Sequence, residues 1–211
     1  MTQILVWFLP RSASTSYVHQ LSTQSGIETY NEIFGYWRDD EYRNEVLGKD
    51  DWIIKVNSLQ YHQHKNQIDA LLETCEVQIL EPRSFIESYT SWILPATIMN
   101  YTDDRDLYWN IHWYNQTSEE MKANYDGYLM TEADAFNEIN NYSKLVDDWI
   151  KYMPLFLKKG TVIRQNELLT TDGKIWDDWH EKAKYIRNPE LVLEEIANKG
   201  TQRWNKIKTM I

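Results

Sequence analysis

With one cysteine, five prolines and seven glycines in 211 residues, the chain has little punctuation and no means of forming an internal disulfide. The lone Cys75 sits in an apolar stretch that reads as core, which suits a reducing, cytoplasmic compartment. No apolar run approaches the ~20 residues of a membrane-spanning helix, and the opening run Ile4 to Leu9 lacks the basic flank of a secretory leader. Neither membrane insertion nor a leader is therefore expected. Basic residues are scarce, 22 against 32 acidic, for a net charge of -10. That balance excludes nucleic acid and anionic membranes as partners held by long-range attraction. A small anion is not excluded, because it needs only a few local donors and a helix N-terminus. The pattern G-x-x-x-x-G-K-[ST] is absent and no lysine lies between Pro10 and Gln24, so a nucleoside triphosphate in a Walker loop is not expected. Internal repeats, linkers and low-complexity tracts are also lacking, and the length suits one domain over residues 1–211.

What is present in quantity is aromatic, with 10 Trp and 14 Tyr, most of them expected in the core and a few lining an acceptor pocket. Gln3 to Leu9 is almost wholly apolar and ends at a proline, as a central parallel strand buried on both faces does. Trp52 to Val56, Val77 to Leu80 and Thr161 to Ile163 read as further strands. Helical spacing appears over Ser14 to Gln24, Asn66 to Thr74, Ser84 to Ile93 and Thr131 to Phe156. In the last of these, Phe136, Ile139, Tyr142, Val146, Trp149 and Met153 would share one face. Asn188-Pro189 predicts a further helix start and Lys199-Gly200 its stop. Alternation of strands with helices predicts an α/β fold, a three-layer parallel sheet with helices on both faces. Ligands bind such sheets beyond the C-terminal strand ends. Asn100 to Gly127, rich in Tyr, Asp and Asn, reads as a lid or acceptor-side insertion.

The loop after the first strand, Pro10-Arg11-Ser12-Ala13-Ser14-Thr15, combines small residues, hydroxyls and one guanidinium just before a helix. Backbone N–H groups, the helix dipole and these side chains can converge there on a phosphate; the same serines can equally serve as helix caps. The stretch Ile4 to Tyr17 resembles the 5'-phosphosulfate loop of the sulfotransferases, whose common form is Pro-Arg-Ser-Gly-Ser-Thr after an apolar strand. Ala13 stands where that family has glycine. The resemblance implies a P-loop NTPase-like α/β fold and 3'-phosphoadenosine-5'-phosphosulfate as sulfuryl donor, its 5'-phosphate held by Arg11, Ser12, Ala13, Ser14, Thr15 and Ser16. Val77 to Ser88 is similar to the family's 3'-phosphate segment. Pro82 and Ser88 match its spacing, Leu80 stands where its arginine is expected, and Arg83 follows the proline. The implied 3'-phosphate ligands are Arg83 and Ser88. Thr161 to Leu168 resembles a late strand and Tyr-Glu-Asp-Leu segment, with Gln165 and Asn166 in its first two places.

Sulfuryl transfer needs a base for the acceptor proton and cations for charge developing on the leaving oxygen. Glu32, before Ile33-Phe34, resembles the family's Glu-Leu-Phe element and is the base candidate, with Glu28 as competitor. Lys55 interrupts an apolar strand and needs a partner if buried, either an anionic donor or a structural acid. His62-Gln-His64 would set two imidazoles on one strand face, but no third metal ligand can be nominated, and no metal is expected. Asp104-Arg-Asp106 lacks the strand context of a metal-binding Asp-x-Asp. The expected activity is sulfuryl transfer to a hydroxyl of a carbohydrate, lipid-like or other small acceptor. The alternatives are a small-metabolite phosphotransferase and a non-catalytic nucleotide-binding module.

Overall fold

The computed structural model describes residues 1–12, 14–82, 84–101, 129–164, 183 and 186–211, with side chains described outside 94–101. These residues form an α/β structure around a five-stranded, all-parallel sheet. The strands are β1 (Gln3–Trp7), β2 (Thr29–Tyr30), β3 (Trp52–Val56), β4 (Glu76–Leu80) and β5 (Gly160–Ile163). The described helices are α1 (Ser14–Ser25), α2 (Asp40–Leu47), α3 (Ser58–Gln63), α4 (Lys65–Leu72), α5 (Phe85–Tyr101), α6 (Glu132–Leu157) and α7 (Pro189–Met210). The chain divides into two compact units. The first comprises Met1–Arg83, Leu145–Leu169 and Lys206–Ile211, and the second Ser84–Lys144 and Thr170–Asn205.

In the first unit the strand order is β2-β3-β1-β4-β5, with β1 central. Its apolar sequence is explained by burial on both faces. Ile4, Val6 and Phe8 pack in one cluster with Tyr17 and Val18 of α1, Ile53 of β3 and Leu80 of β4. On the alternate side, Trp7 stacks on Phe156 with ring centroids 3.9 Å apart and meets Trp149 at 6.5 Å and Tyr61 at 6.1 Å. Helices thus cover both faces, which makes three layers. The register sets Val6 opposite Lys55 on β3 and Gln78 on β4. The chain leaves β1 toward the β2 side and leaves β4 toward β5, so the connections diverge at the C-terminal ends of neighbouring strands. Parallel sheets form their ligand crevices at such a divergence.

In the second unit the start of α5 is a reciprocal cap: Glu87 N donates to Ser84 Oγ at 3.3 Å and Ser84 N to Glu87 Oε2 at 3.2 Å. Tyr89 and Ser143 share a buried hydroxyl bond of 2.7 Å, and Trp92 Nε1 donates to the buried Glu138 at 3.2 Å. Of the stripe expected along α6, Ile139, Tyr142, Val146, Trp149 and Met153 are fully buried and Phe136 half-buried.

Several expectations need correction. The edge strand β2 and the helices α2 and α3 have too little periodic apolar sequence to stand out. Asn57 and Gln60 instead start α3 through a capping box, and Asp39 caps α2 by accepting from Tyr42 N at 2.8 Å. His62 therefore lies in α3 and His64 at its C-terminal end, not on a strand face. Helix α7 begins at Pro189 as expected but runs through Gly200 to Met210. A β-carbon at Gly200 would lie 2.7 Å from the Phe85 ring, so the glycine serves close packing against α5 and not a stop. Gly200→Ala should consequently lower stability by roughly 1–3 kcal/mol, although alanine is the better helix former. Chemical denaturation measures this, and a gain in stability would contradict the packing.

Candidate functional site

The end of β1 turns sharply because Ser12 N donates to Leu9 O at 3.1 Å with Pro10 and Arg11 between them. Arg11 has φ of +70°. Proline in the second position and positive φ in the third are the signature of a type II turn, a place that favours glycine. An arginine held there stores backbone strain of order 1 kcal/mol or more. Ser12 and Ser14 are buried, Thr15 is half-buried and Ser16 is exposed, while Ala13 lies outside the described residues. The left-handed conformation thus falls on Arg11, two residues before the position where the resemblance expects glycine.

Glu32 reaches the same place from β2. It too is left-handed, with φ of +52°, and Gly35 N donates to its carbonyl at 2.8 Å. Ile33 and Phe34 are fully buried and anchor this turn, and a β-carbon at Gly35 would strike the Trp37 ring at 2.7 Å. The buried Arg43 of α2 ties down the far end by donating to Arg38 O at 2.8 Å. Two of the three non-glycine residues with positive φ among the described residues are therefore Arg11 and Glu32. Strained backbone of this kind concentrates where a site needs a side chain in one place.

Between them stands Lys55, whose side chain is only 4% exposed. Its Nζ donates to Thr15 Oγ1 at 2.7 Å, lies 3.3 Å from Glu32 Oε1, and sits 5.1 Å from the centre of the Phe8 ring. Burial pushes the Lys55 ammonium below the ordinary lysine value, and the Arg11 charge pushes the same way. Glu32 opposes both by its charge and its hydrogen bond. The structure therefore brings together Arg11, Thr15, Glu32 and Lys55 at the C-terminal ends of β1, β2 and β3. Two cations, a hydroxyl and the first turn of α1, which carries no acidic residue, are groups of the kind that can bind an anion, and one carboxylate stands at their side.

The competing acid Glu28 is exposed and bonded to Tyr30 Oη, which also accepts from Lys49 Nζ at 2.7 Å. Ser88 belongs to the second unit, in α5. It is buried, its N donates to Ser84 O at 3.0 Å, and its Oγ has no hydrogen-bond partner among the described residues. Arg83, Gln165, Asn166, the pair Asp104 and Asp106, and nearly all of the expected lid lie outside the described residues. His62 Nδ1 is 3.3 Å from Tyr152 Oη, and His64 packs against Phe34. Among the described residues no group of three or more His, Cys, Asp or Glu is placed to hold a metal. No helix there is long and apolar enough to cross a membrane. Burial pushes the Cys75 thiol up to about 11, so it is protonated and unreactive at neutral pH.

The sequence reading passed over Tyr17 and Gln78. Tyr17 Oη donates to Gln78 Oε1 beneath α1. The available signal was of the same kind as for Lys55: Gln78 is a polar residue interrupting an apolar strand. Compared with models of known families, with curated proteins and with solved structures, the chain matches none. The fold and site by themselves define a parallel α/β protein with Lys55, Thr15 and Glu32 clustered at its first strand-to-helix turn.

Two outcomes follow. Arg11→Gly relieves the left-handed strain, so thermal melting should show equal or higher stability, while calorimetry should show affinity for inorganic pyrophosphate falling roughly ten- to a hundredfold with loss of the charged contact. Lower stability with unchanged affinity would remove Arg11 from the site. For Lys55, the native ammonium loses its proton below the ordinary value of 10.5. Pyrophosphate affinity should therefore fall as pH rises through that lowered value, and Lys55→Met should bind weakly with no such alkaline limb. Within the window between the native value and 10.5, the unfolded chain binds the proton that the native state has released. Lys55's contribution to stability thus rises with pH across that window.

Proposed function

We propose that the chain is a sulfotransferase with a P-loop NTPase-like fold, taking 3'-phosphoadenosine-5'-phosphosulfate as donor and a small hydroxyl compound, such as a carbohydrate, as acceptor. The observation that carries this reading is the convergence of Lys55, Thr15 and Glu32 beside the left-handed Arg11 at the end of the central strand. It supports the loop resemblance, since a buried cation, a hydroxyl and a carboxylate meet beside that loop.

In the proposed reaction the acceptor oxygen attacks sulfur, the bond from sulfur to the bridging phosphate oxygen breaks, and the nucleotide leaves as the 3',5'-bisphosphate. The Glu32 carboxylate takes the acceptor proton. Its side chain is 28% exposed and one oxygen faces Lys55, which leaves the other for an acceptor entering from solvent. Arg11 and the α1 N-terminus bind the 5'-phosphate, and the Lys55 ammonium offsets charge on the leaving oxygen.

Calorimetric titration with 3'-phosphoadenosine-5'-phosphate and with ATP tests the donor. The bisphosphate should bind and ATP should not compete; ATP binding without a response to the bisphosphate would instead favour a phosphotransferase. Turnover against a panel of hydroxyl acceptors tests the chemistry. Glu32→Gln should lower turnover by ~10²–10⁴-fold with a far smaller change in bisphosphate affinity at pH 6, whereas Glu28→Gln should be mild. Bisphosphate binding with no transfer to any acceptor would leave a non-catalytic binding module.

A further inference from the structure

Lys55 and Gln78 flank Val6 in register on the two strands beside β1. Paired residues in a parallel ladder point to the same face, so a cation and an amide stand on either side of Val6 beneath α1. The first turn of α1 meets both. Thr15 Oγ1 accepts from Lys55 Nζ at 2.7 Å, and Tyr17 Oη donates to Gln78 Oε1 at 2.5 Å. Gln78 is itself oriented by donating from Nε2 to Glu76 Oε1 at 2.7 Å.

Residues two apart on a helix project about 200° from one another. The two ties therefore run to opposite flanks of β1, and the first turn of α1 straddles that strand. Val18 packs down between them in the cluster with Ile4 and Val6. Apolar packing alone permits the helix to roll about its axis; one polar tie limits the roll in one direction, and two opposed ties limit it in both. The roll sets where the first-turn N–H groups aim and whether Thr15 stays on Lys55.

We infer that Tyr17 and Gln78 are positioning residues of the anion site, whose mutual hydrogen bond fixes the roll of α1 and so holds Thr15 on Lys55 and the helix N-terminus over the end of β1. This rests on the reading of the Arg11, Thr15 and Lys55 cluster as an anion site. Tyr17 is buried beneath α1, and its effect on the site runs through that helix.

Tyr17→Phe keeps the ring in the core and removes only Oη. In protein carrying isotope-labelled lysine, the NMR titration midpoint of Lys55 should rise toward that of an ordinary lysine in Tyr17→Phe, because a loosened first turn admits water to the ammonium. Gln78→Leu should give the same rise, and the double variant no more. Val18→Ala, which opens the same core without touching either tie, should leave the midpoint in place. Affinity for 3'-phosphoadenosine-5'-phosphate should fall about tenfold in Tyr17→Phe. An unchanged Lys55 midpoint in folded Tyr17→Phe overturns the inference, as does an equal rise in Val18→Ala. Failure of the wild-type protein to bind the bisphosphate would overturn the donor reading instead, and the lysine titration would still decide whether the tie positions Lys55.

Discussion

The arrangement depends on one buried ammonium. A lysine buried on an inner strand of a parallel sheet is costly unless its charge is paired and its hydrogens are bonded, and Lys55 meets that requirement with Thr15 and Glu32. Each partner comes from a different element. Thr15 requires α1 to begin immediately after the β1 turn, and Glu32 requires the chain leaving β2 to bend back over β3. The strained turns at Arg11 and Glu32 are the backbone's answer to that requirement.

The surrounding core sets the limits within which this pairing works. The apolar residues of β1 divide between two layers, and the aromatic stack of Trp7, Phe156 and Trp149 closes the face opposite α1. Trp7, Trp149 and Phe156 are fully buried, so the strand that leads into the turn is closely packed on that face. The α1 face is less purely apolar. Lys55, Gln78, Thr15 and Tyr17 put two hydrogen bonds under one helix turn, and misaligning either leaves a buried polar group unsatisfied. Polar contacts of that kind specify an orientation, where apolar ones specify mainly burial.

On the proposed reading, the internal carboxylate holds the place of a bound anion against the buried cation. Glu32 lies against the ammonium that would meet a ligand's phosphate or sulfate, and it stays partly open to solvent. Glu32 thereby favours the charged form of Lys55 against burial, and in the proposed reaction it is the proton acceptor. The chain's surplus of acid does not oppose this. Local donors within a few ångströms outweigh distant screened charges for a small anion.

From sequence alone the central strand, the strand-to-helix turn after it and the alternation of strands with helices were legible, because each has a local cause. A short apolar run between breakers reads as a buried strand, and small hydroxyl residues before helical spacing read as a strand-to-helix turn. Glu32 and Lys55 were legible as candidates, the first by its neighbours and the second as a charge in an apolar run, but not as a pair, since 22 residues that include helix α2 separate them in the chain. Tertiary structure decided the rest. It chose Glu32 over Glu28 as the acid against Lys55, made Gly200 a packing residue within α7, and set Tyr17 on Gln78. Each of these is settled by which side chains meet across strands and helices distant in sequence, and no local propensity or periodicity encodes such a meeting.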